Sequence, residues 1–226
     1  MSTRDKLLSH RLQTIFDLID QGSTVADIGT DHAYLPIALA LEGKCPLIYA
    51  IDNKQGPLSQ ARKMVDFYGV SDRVRCHLVQ DEHPYHHVDV WVIAGMGYEN
   101  AKAIMTQYKS TIRKLKKVIV QINHQVDKMR VYCMDNGLRI LDETIVEDDF
   151  FYMILTIAYD GDSVVYDEQQ LFLGPVLMKK KGDVFLKYCH IKKEQLLLIL
   201  HEIPSRHPKK QIILKQIKML DVMLDQ

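Results

Sequence analysis

The chain has 226 residues, enough for one catalytic-size domain and a smaller appendage. Hydrophobic residues make up 47% and charged residues 26%, the balance of a soluble globular protein, and no apolar run approaches the ~20 residues that span a bilayer. The formal net charge is +0 but unevenly spread: residues 175–226 carry 11 Lys/Arg against 5 Asp/Glu, residues 1–174 carry 18 against 24, and the basic segment reads either as a solvated helical face or as a surface for an anionic partner.

In chain order, Leu8, Leu12, Ile15, Phe16 and Ile19 fall at helical spacing, which predicts an amphipathic helix over 6–19. Short β-branched runs follow at 24–28, 46–51, 74–79, 88–94 and 118–121, and helical stretches at 35–41, 58–68, 100–108 and 126–136 separate most of them. That alternation predicts βαβ units and a parallel sheet covered on both faces. Two further runs, 139–146 and 150–158, flank Glu147-Asp148-Asp149 with no room for a helix, so they predict a terminal hairpin whose last strand is antiparallel. The expected class is α/β, a Rossmann-like, mostly parallel sheet followed by a C-terminal helical hairpin. The domain spans 1–160, a polar linker 161–174, and the hairpin 175–226. Its helices are expected over 176–201 and 209–224, separated by the proline-bearing turn 204–208.

The strongest local signal is Ala26-Asp27-Ile28-Gly29-Thr30-Asp31-His32-Ala33-Tyr34-Leu35-Pro36. A strand ends at Ile28, Gly29 makes the turn, and a helix starts near Tyr34. In a doubly wound sheet this first strand–helix turn lies where ligands bind, and amides at a helix start hold carboxylates. By spacing alone the segment is either a structural turn or a cofactor loop. The absence of G-x-G-x-x-G argues against a two-phosphate cofactor. Asp52, ending the second strand, is placed to accept from ribose hydroxyls or to sit in a solvated loop, and Asp81, ending the third, could accept from an amino group. The fourth strand ends in Ala94-Gly95-Met96-Gly97, whose small residues leave space, and the fifth in Gln121-Ile122-Asn123. His83, His86, His87 and Asp89 match no rigid ligand spacing, so no metal is expected. Without G-x-S-x-G, a serine-nucleophile triad is not indicated. Cys45, Cys76, Cys133 and Cys189 are far apart with no C-x-x-C pair, and 1–9 has no signal-peptide pattern, so reduced thiols and a cytoplasmic location are expected.

These motifs resemble those of the bacterial tRNA (adenine-22-N1)-methyltransferase family, within the class I methyltransferases. The resemblance rests on Leu8-Ser9-His10-Arg11-Leu12, on Ala26–Pro36, on Asp52 with Gly56-Pro57, on Ile93–Gly97, and on Leu173-Gly174-Pro175 with the Lys179–Lys181 run. It covers nearly the whole chain. It implies S-adenosylmethionine as cofactor, tRNA as partner, and methyl transfer to N1 of an adenine in the D-arm region; separately, a monomer is expected. Carried over by position, Asp27, Gly29, Asp31 and His32 line the methionine end, Asp52 holds the ribose and Asp81 the adenine of the cofactor. Thr30, Asn53, Ala94 and Gly95 complete the binding set. Beyond that carry-over, Asn123 at its strand end is the first candidate to orient the target base, Met96 and Tyr98 are expected to pack beside it, and the basic segment makes Lys179, Lys180, Lys181, Lys209 and Lys210 the expected contacts to tRNA phosphates. The chain departs from the family pattern on the substrate side: Glu82 and Tyr98 stand where glycines are usual, Ile122 replaces proline, and Asp149 and Met153 replace glycine and glutamate. Those departures leave two alternatives, a methyltransferase for another RNA or a small molecule, and a catalytically weakened tRNA-binding homologue.

Overall fold

A computed structural model describes residues 6–79, 84–162, 164–204 and 206–225. The chain divides into two compact units, Met1–Val165 and Tyr166–Gln226.

The first unit opens with helix α1 (His10–Asp17), whose cap Ser9 accepts from Leu12 N and whose Ile15 and Phe16 are buried. Seven strands follow: β1 (Val25–Ile28), β2 (Ile48–Asp52), β3 (Val74–Leu78), β4 (Val90–Met96), β5 (Lys117–Ile122), β6 (Leu138–Glu147) and β7 (Phe151–Tyr159). They form one sheet in the order β3-β2-β1-β4-β5-β7-β6. Strands β1 to β5 pair in parallel, and β7 runs antiparallel to both β5 and β6. The reversed last strand follows from the three-residue link 148–150, closed by Asp148 N donating to Phe150 O, which is too short for a crossover helix. Every residue of β1 and β2 is buried, because helices cover both faces of a parallel sheet.

Helices α2 (Tyr34–Leu41), α3 (Gln55–Phe67), α4 (Tyr98–Gln107), α5 (Lys109–Ile112) and α6 (Val126–Asp135) supply that cover. Helix α2 is apolar around its whole circumference, with residues 35–40 all buried, so it belongs to the core rather than its rim. One charged pair lies equally deep: Arg130 Nε of α6 donates to Glu143 Oε1 of β6 over 2.7 Å, with both side chains at most 1% exposed. At the amino ends of the strands, Asp89 accepts from the Thr24 amide and hydroxyl, both at 2.8 Å, and pairs with Lys116 at 2.8 Å. These contacts, the Lys116 bond first, pull its carboxyl down to about 2. His86 packs by its ring against Tyr85, Trp91 and Tyr108. His86 and Asp89 thus serve the hydrophobic and polar base of the sheet, and His83 lies outside the described residues. No group of three or more metal-binding side chains occurs among the described residues, and none of their helices is long and apolar enough to cross a membrane.

The second unit holds α7 (Glu168–Leu173), α8 (Leu177–Lys180), α9 (Asp183–Glu202) and α10 (Lys210–Leu224). Helices α9 and α10 pack together through Phe185, Cys189 and Leu196 on one side and Ile213, Ile217, Leu220 and Met223 on the other. Two local expectations change. The helix expected over 176–201 is broken, because Lys181 takes a left-handed φ of 48° and Gly182 an extended conformation that caps α9 afresh. Within 161–174, α7 forms because Asp167 and Gln170 make a reciprocal capping box. Helix α7 is tied to α10 by Gln169 Nε2 donating to Met219 O and by the Glu168–Lys215 ion pair.

Candidate active site

The sheet order reverses between β1 and β4: the chain winds outward from β1 to β3, then returns to the other side of β1. The crevice at the carboxyl ends of β1 and β4 is where such a sheet binds ligands. Here it holds a cavity of about 340 Å³, within the range of roughly 300–1,000 Å³ typical of small-molecule sites.

The β1–α2 turn builds one wall. Gly29 has a φ of +82°, and a Cβ there would meet Met96 Cε at 3.0 Å, so both conformation and space call for glycine. Asp31 and Ala33 adopt left-handed φ of 49° and 57°, which L side chains disfavour. The turn is held by the Gly29 and Thr30 amides, which both donate to Ile51 O at 2.8 and 2.9 Å, and by Ala33 N donating to Thr30 O. Ala33 gives α2 no side-chain cap, which leaves the first amides of that helix for an anion.

Asp27 is the electrostatic centre of the wall. Burial pushes its carboxyl up to about 6, against the opposing pull of the Thr30 hydroxyl, which donates to Oδ2 at 2.7 Å, and of the Arg11 guanidinium; Asp52 pushes it further up. A buried acid of this kind is poised to take a cationic partner.

Arg11 organises the opposite wall. Its Nη1 donates to Gln121 Oε1 at 2.7 Å, and the same oxygen accepts from Gly95 N at 3.0 Å. Gln121 is fully buried and passes the order on: its Nε2 donates to Asn123 Oδ1 at 3.3 Å, while Asn123 Nδ2 donates to Gly95 O at 3.2 Å. This fixes the bulge between Ala94 and Met96, where Gly95 has a φ of +77°. The Arg11 guanidinium also lies 5.5 Å from the Tyr152 ring centroid.

Of the residues expected from sequence, Asp27, Gly29, Thr30, Asp31, His32, Ala94 and Gly95 line this one cavity. His32 stacks on Tyr34 and lies 3.6 Å from Asp31. Asp52 ends β2 buried, with Oδ1 accepting from Lys54 N at 2.8 Å, and Asn53 beside it is exposed. Met96 reaches Gly29, Asn123 is exposed at the end of β5, and Tyr98 opens α4. Asp81 lies outside the described residues. In the second unit, Lys179–Lys181 and Lys209–Lys210 are not gathered together: the twenty residues of α9 separate them, roughly 30 Å of helix.

Arg11, Leu12, Tyr34 and Leu35 also line the cavity, without having been predicted for it. For Arg11 the signal was present in the periodicity. It sits three residues after Leu8 and four before Ile15, a charge on the apolar face of an amphipathic helix. Gln121 stood in the strand-end motif, but its role depends on Arg11 and Gly95, which are distant in sequence.

Residues 8–155 match the family described as Methyltransferase domain. The tRNA (adenine(22)-N(1))-methyltransferase of Bacillus subtilis (strain 168) is 31% identical over 192 residues, covering 80% of this chain and 79% of that one. Among solved structures, M. capricolum TrmK in complex with S-adenosyl-homocysteine superposes with a TM-score of 0.82 at 28% identity, covering 97% of this chain and 98% of the other. Sp1610 of Streptococcus pneumoniae in complex with S-adenosyl-L-methionine gives 0.85 at 27% identity, covering 96% and 99%. With 31% identity over four fifths of both chains and a fold held in common with these structures, the chain belongs to the tRNA (adenine(22)-N(1))-methyltransferase family.

Proposed function

We propose that the chain transfers the methyl group of S-adenosylmethionine to N1 of adenine 22 in tRNA. The observation that carries this reading is the switch-point cavity lined by the Asp27–Leu35 turn in a chain of this family.

The residues present fit the cofactor. The buried Asp27 carboxylate suits the α-ammonium, the uncapped amides of α2 and the Arg11 guanidinium suit the carboxylate, and Asp52 Oδ2, which has no hydrogen bond among the described residues, suits a ribose hydroxyl. When bound, S-adenosylmethionine supplies an electrophilic methyl on a sulfonium sulfur. Adenine N1 needs no activating base, because its lone pair already lies in the base plane. The work left to the protein is alignment and exclusion of water. Asn123 is placed for alignment: its Oδ1 accepts one bond from Gln121 and keeps a second acceptor position for the exocyclic amine of the base. Met96 packs between the cofactor turn and the place where the base would lie. The base has to leave its stack to reach this edge, at a cost of a few kcal/mol. Phosphate contacts from Lys179, Lys180, Lys181, Lys209 and Lys210 offset that cost, and their spread along α9 suits an extended polyanion better than a small substrate. In this reading the active unit is a monomer. A tRNA substrate and four unpaired thiols support a cytoplasmic location; burial pushes the Cys45 and Cys189 thiols up to about 11 and the Cys133 thiol up to about 12.

The test is transfer of labelled methyl from S-adenosylmethionine to an unmodified tRNA transcript carrying adenine at position 22, beside one with guanine there. Label on the adenine transcript alone is expected. Equal labelling of both, or labelling of neither while the cofactor still binds, would overturn the substrate assignment.

A further inference from the structure

Tyr98 stands where the family pattern has a glycine, and the structure shows what surrounds it. Lys102, one turn along α4, has its Nζ 5.7 Å from the Tyr98 ring centroid, and Lys128 of α6 has its Nζ 5.8 Å from the same centroid. Two ammonium groups are therefore held around one ring. Both lysines are exposed, and among the described residues neither forms an ion pair. Like charges gathered at one ring repel, and the negative face of the ring partly compensates them without cancelling their charge. The cluster thus keeps two positive charges available at a fixed place.

That place is the substrate edge of the sheet. Tyr98 is three residues beyond Gly95, which lines the cavity, so the connecting chain spans at most about 10 Å. Lys128 is five residues beyond Asn123, whose amide bonds to Met96 O and whose side chain bonds to Gly95 O. An adenine inserted beside Asn123 would bring the phosphates flanking its own nucleotide to this edge.

We propose that Lys102 and Lys128 form a phosphate clamp for the RNA backbone next to the methylated adenine, with Tyr98 as the positioning residue that gathers them. This rests on the tRNA methyltransferase reading and adds to it a substrate contact made by the catalytic unit itself, apart from the basic helices. The Tyr98 ring does the gathering, so its hydroxyl is dispensable.

The experiment measures binding of the adenine-22 tRNA transcript by fluorescence anisotropy between 50 and 200 mM salt, for wild type, Lys102→Ala/Lys128→Ala, Tyr98→Phe and Tyr98→Leu. Cofactor affinity is measured in parallel by calorimetry. Loss of two phosphate contacts lowers the slope of log affinity against log salt by about 1.4–1.8. The double lysine variant is expected to show that drop, with a raised KM for tRNA and wild-type cofactor affinity. Tyr98→Phe keeps the wild-type slope, and Tyr98→Leu falls between wild type and the double variant. An unchanged slope in the double variant would overturn the clamp even if wild type methylates the transcript. A reduced slope without methylation would leave the clamp standing and sink the reaction assigned to the site. A wild-type chain that binds no RNA would sink both.

Discussion

Arg11 donates to the fully buried Gln121 over 2.7 Å, and through that one side chain the amino-terminal helix sets the positions of Gly95 and Asn123. Hydrogen bonds from charged donors contribute about 1.5–3 kcal/mol, and here the bond also orients a wall of the cavity. Replacing Arg11 with Met keeps the aliphatic stem but removes the charged donor from buried Gln121 Oε1, leaving it the Gly95 amide alone. The expected result is a tenfold or greater loss of cofactor affinity by calorimetry, with a stability loss of about 1–3 kcal/mol in urea. Wild-type affinity in this variant would show that the wall does not depend on the helix.

If Asp27 takes the cofactor's ammonium group as proposed, cofactor binding depends on pH. Its folded-state value of about 6 is raised from 3.8 by burial, so the group is neutral below about 6 and ionised above. The carboxylate is the form that takes an ammonium group. Affinity for S-adenosylmethionine is therefore expected to rise as pH increases through about 6, and the rise is expected to disappear in Asp27→Asn.

The same shift has a consequence for stability with the opposite sign. A raised folded value favours the protonated native state; that contribution is fully present below about pH 4 and lost as pH rises through about 6. At pH 7 the ionised carboxylate costs the cofactor-free protein about 3 kcal/mol. Asp27→Asn, whatever it does to cofactor binding, is expected to raise the cofactor-free melting midpoint at pH 7 and to have little effect at pH 4.

Gly29→Ala separates the two demands on that residue. The φ of +82° costs an L residue about 1–2 kcal/mol, and the new Cβ meets the end of a flexible methionine at 3.0 Å. Weaker cofactor binding is expected. Adding Met96→Ala removes the contact but not the backbone strain, so the double variant should recover only part of the loss. Full recovery would show that space, not conformation, selects glycine here.

Arg130 and Glu143 form the buried charge pair of the core. Removing one partner takes the opposite charge away from a buried ion, a loss of about 3–5 kcal/mol, whereas replacing both with apolar residues of similar size costs far less. Urea unfolding of Arg130→Ala, Glu143→Leu and Arg130→Met/Glu143→Leu checks this. Equal losses in single and double variants would mean the pair contributes only through packing.

The sheet was legible because its information is local. Continuous apolar runs bounded by turns mark β1 and β2, and the short 148–150 link reverses β7 by length alone. The Asp27–Tyr34 turn was legible for the same reason, one unbroken segment supplying most of one wall. What sequence did not show is the coupling across the site. Arg11 and Gln121 are 110 residues apart, and no periodicity links a helix arginine to a strand-end amide. The break at Lys181 also escaped, because a lysine carries no turn signal and only Gly182 hinted at one.

The position and atom of methylation can be read directly. Unmodified adenine-22 tRNA is incubated with the protein and S-adenosylmethionine, then digested to nucleosides for mass spectrometry and, in parallel, read by primer extension. The expected product is 1-methyladenosine, with primer extension arrested at position 22, since a methyl on N1 blocks base pairing. Methyl on another atom or nucleotide, or no methylated nucleoside from a protein that binds both cofactor and tRNA, would contradict it.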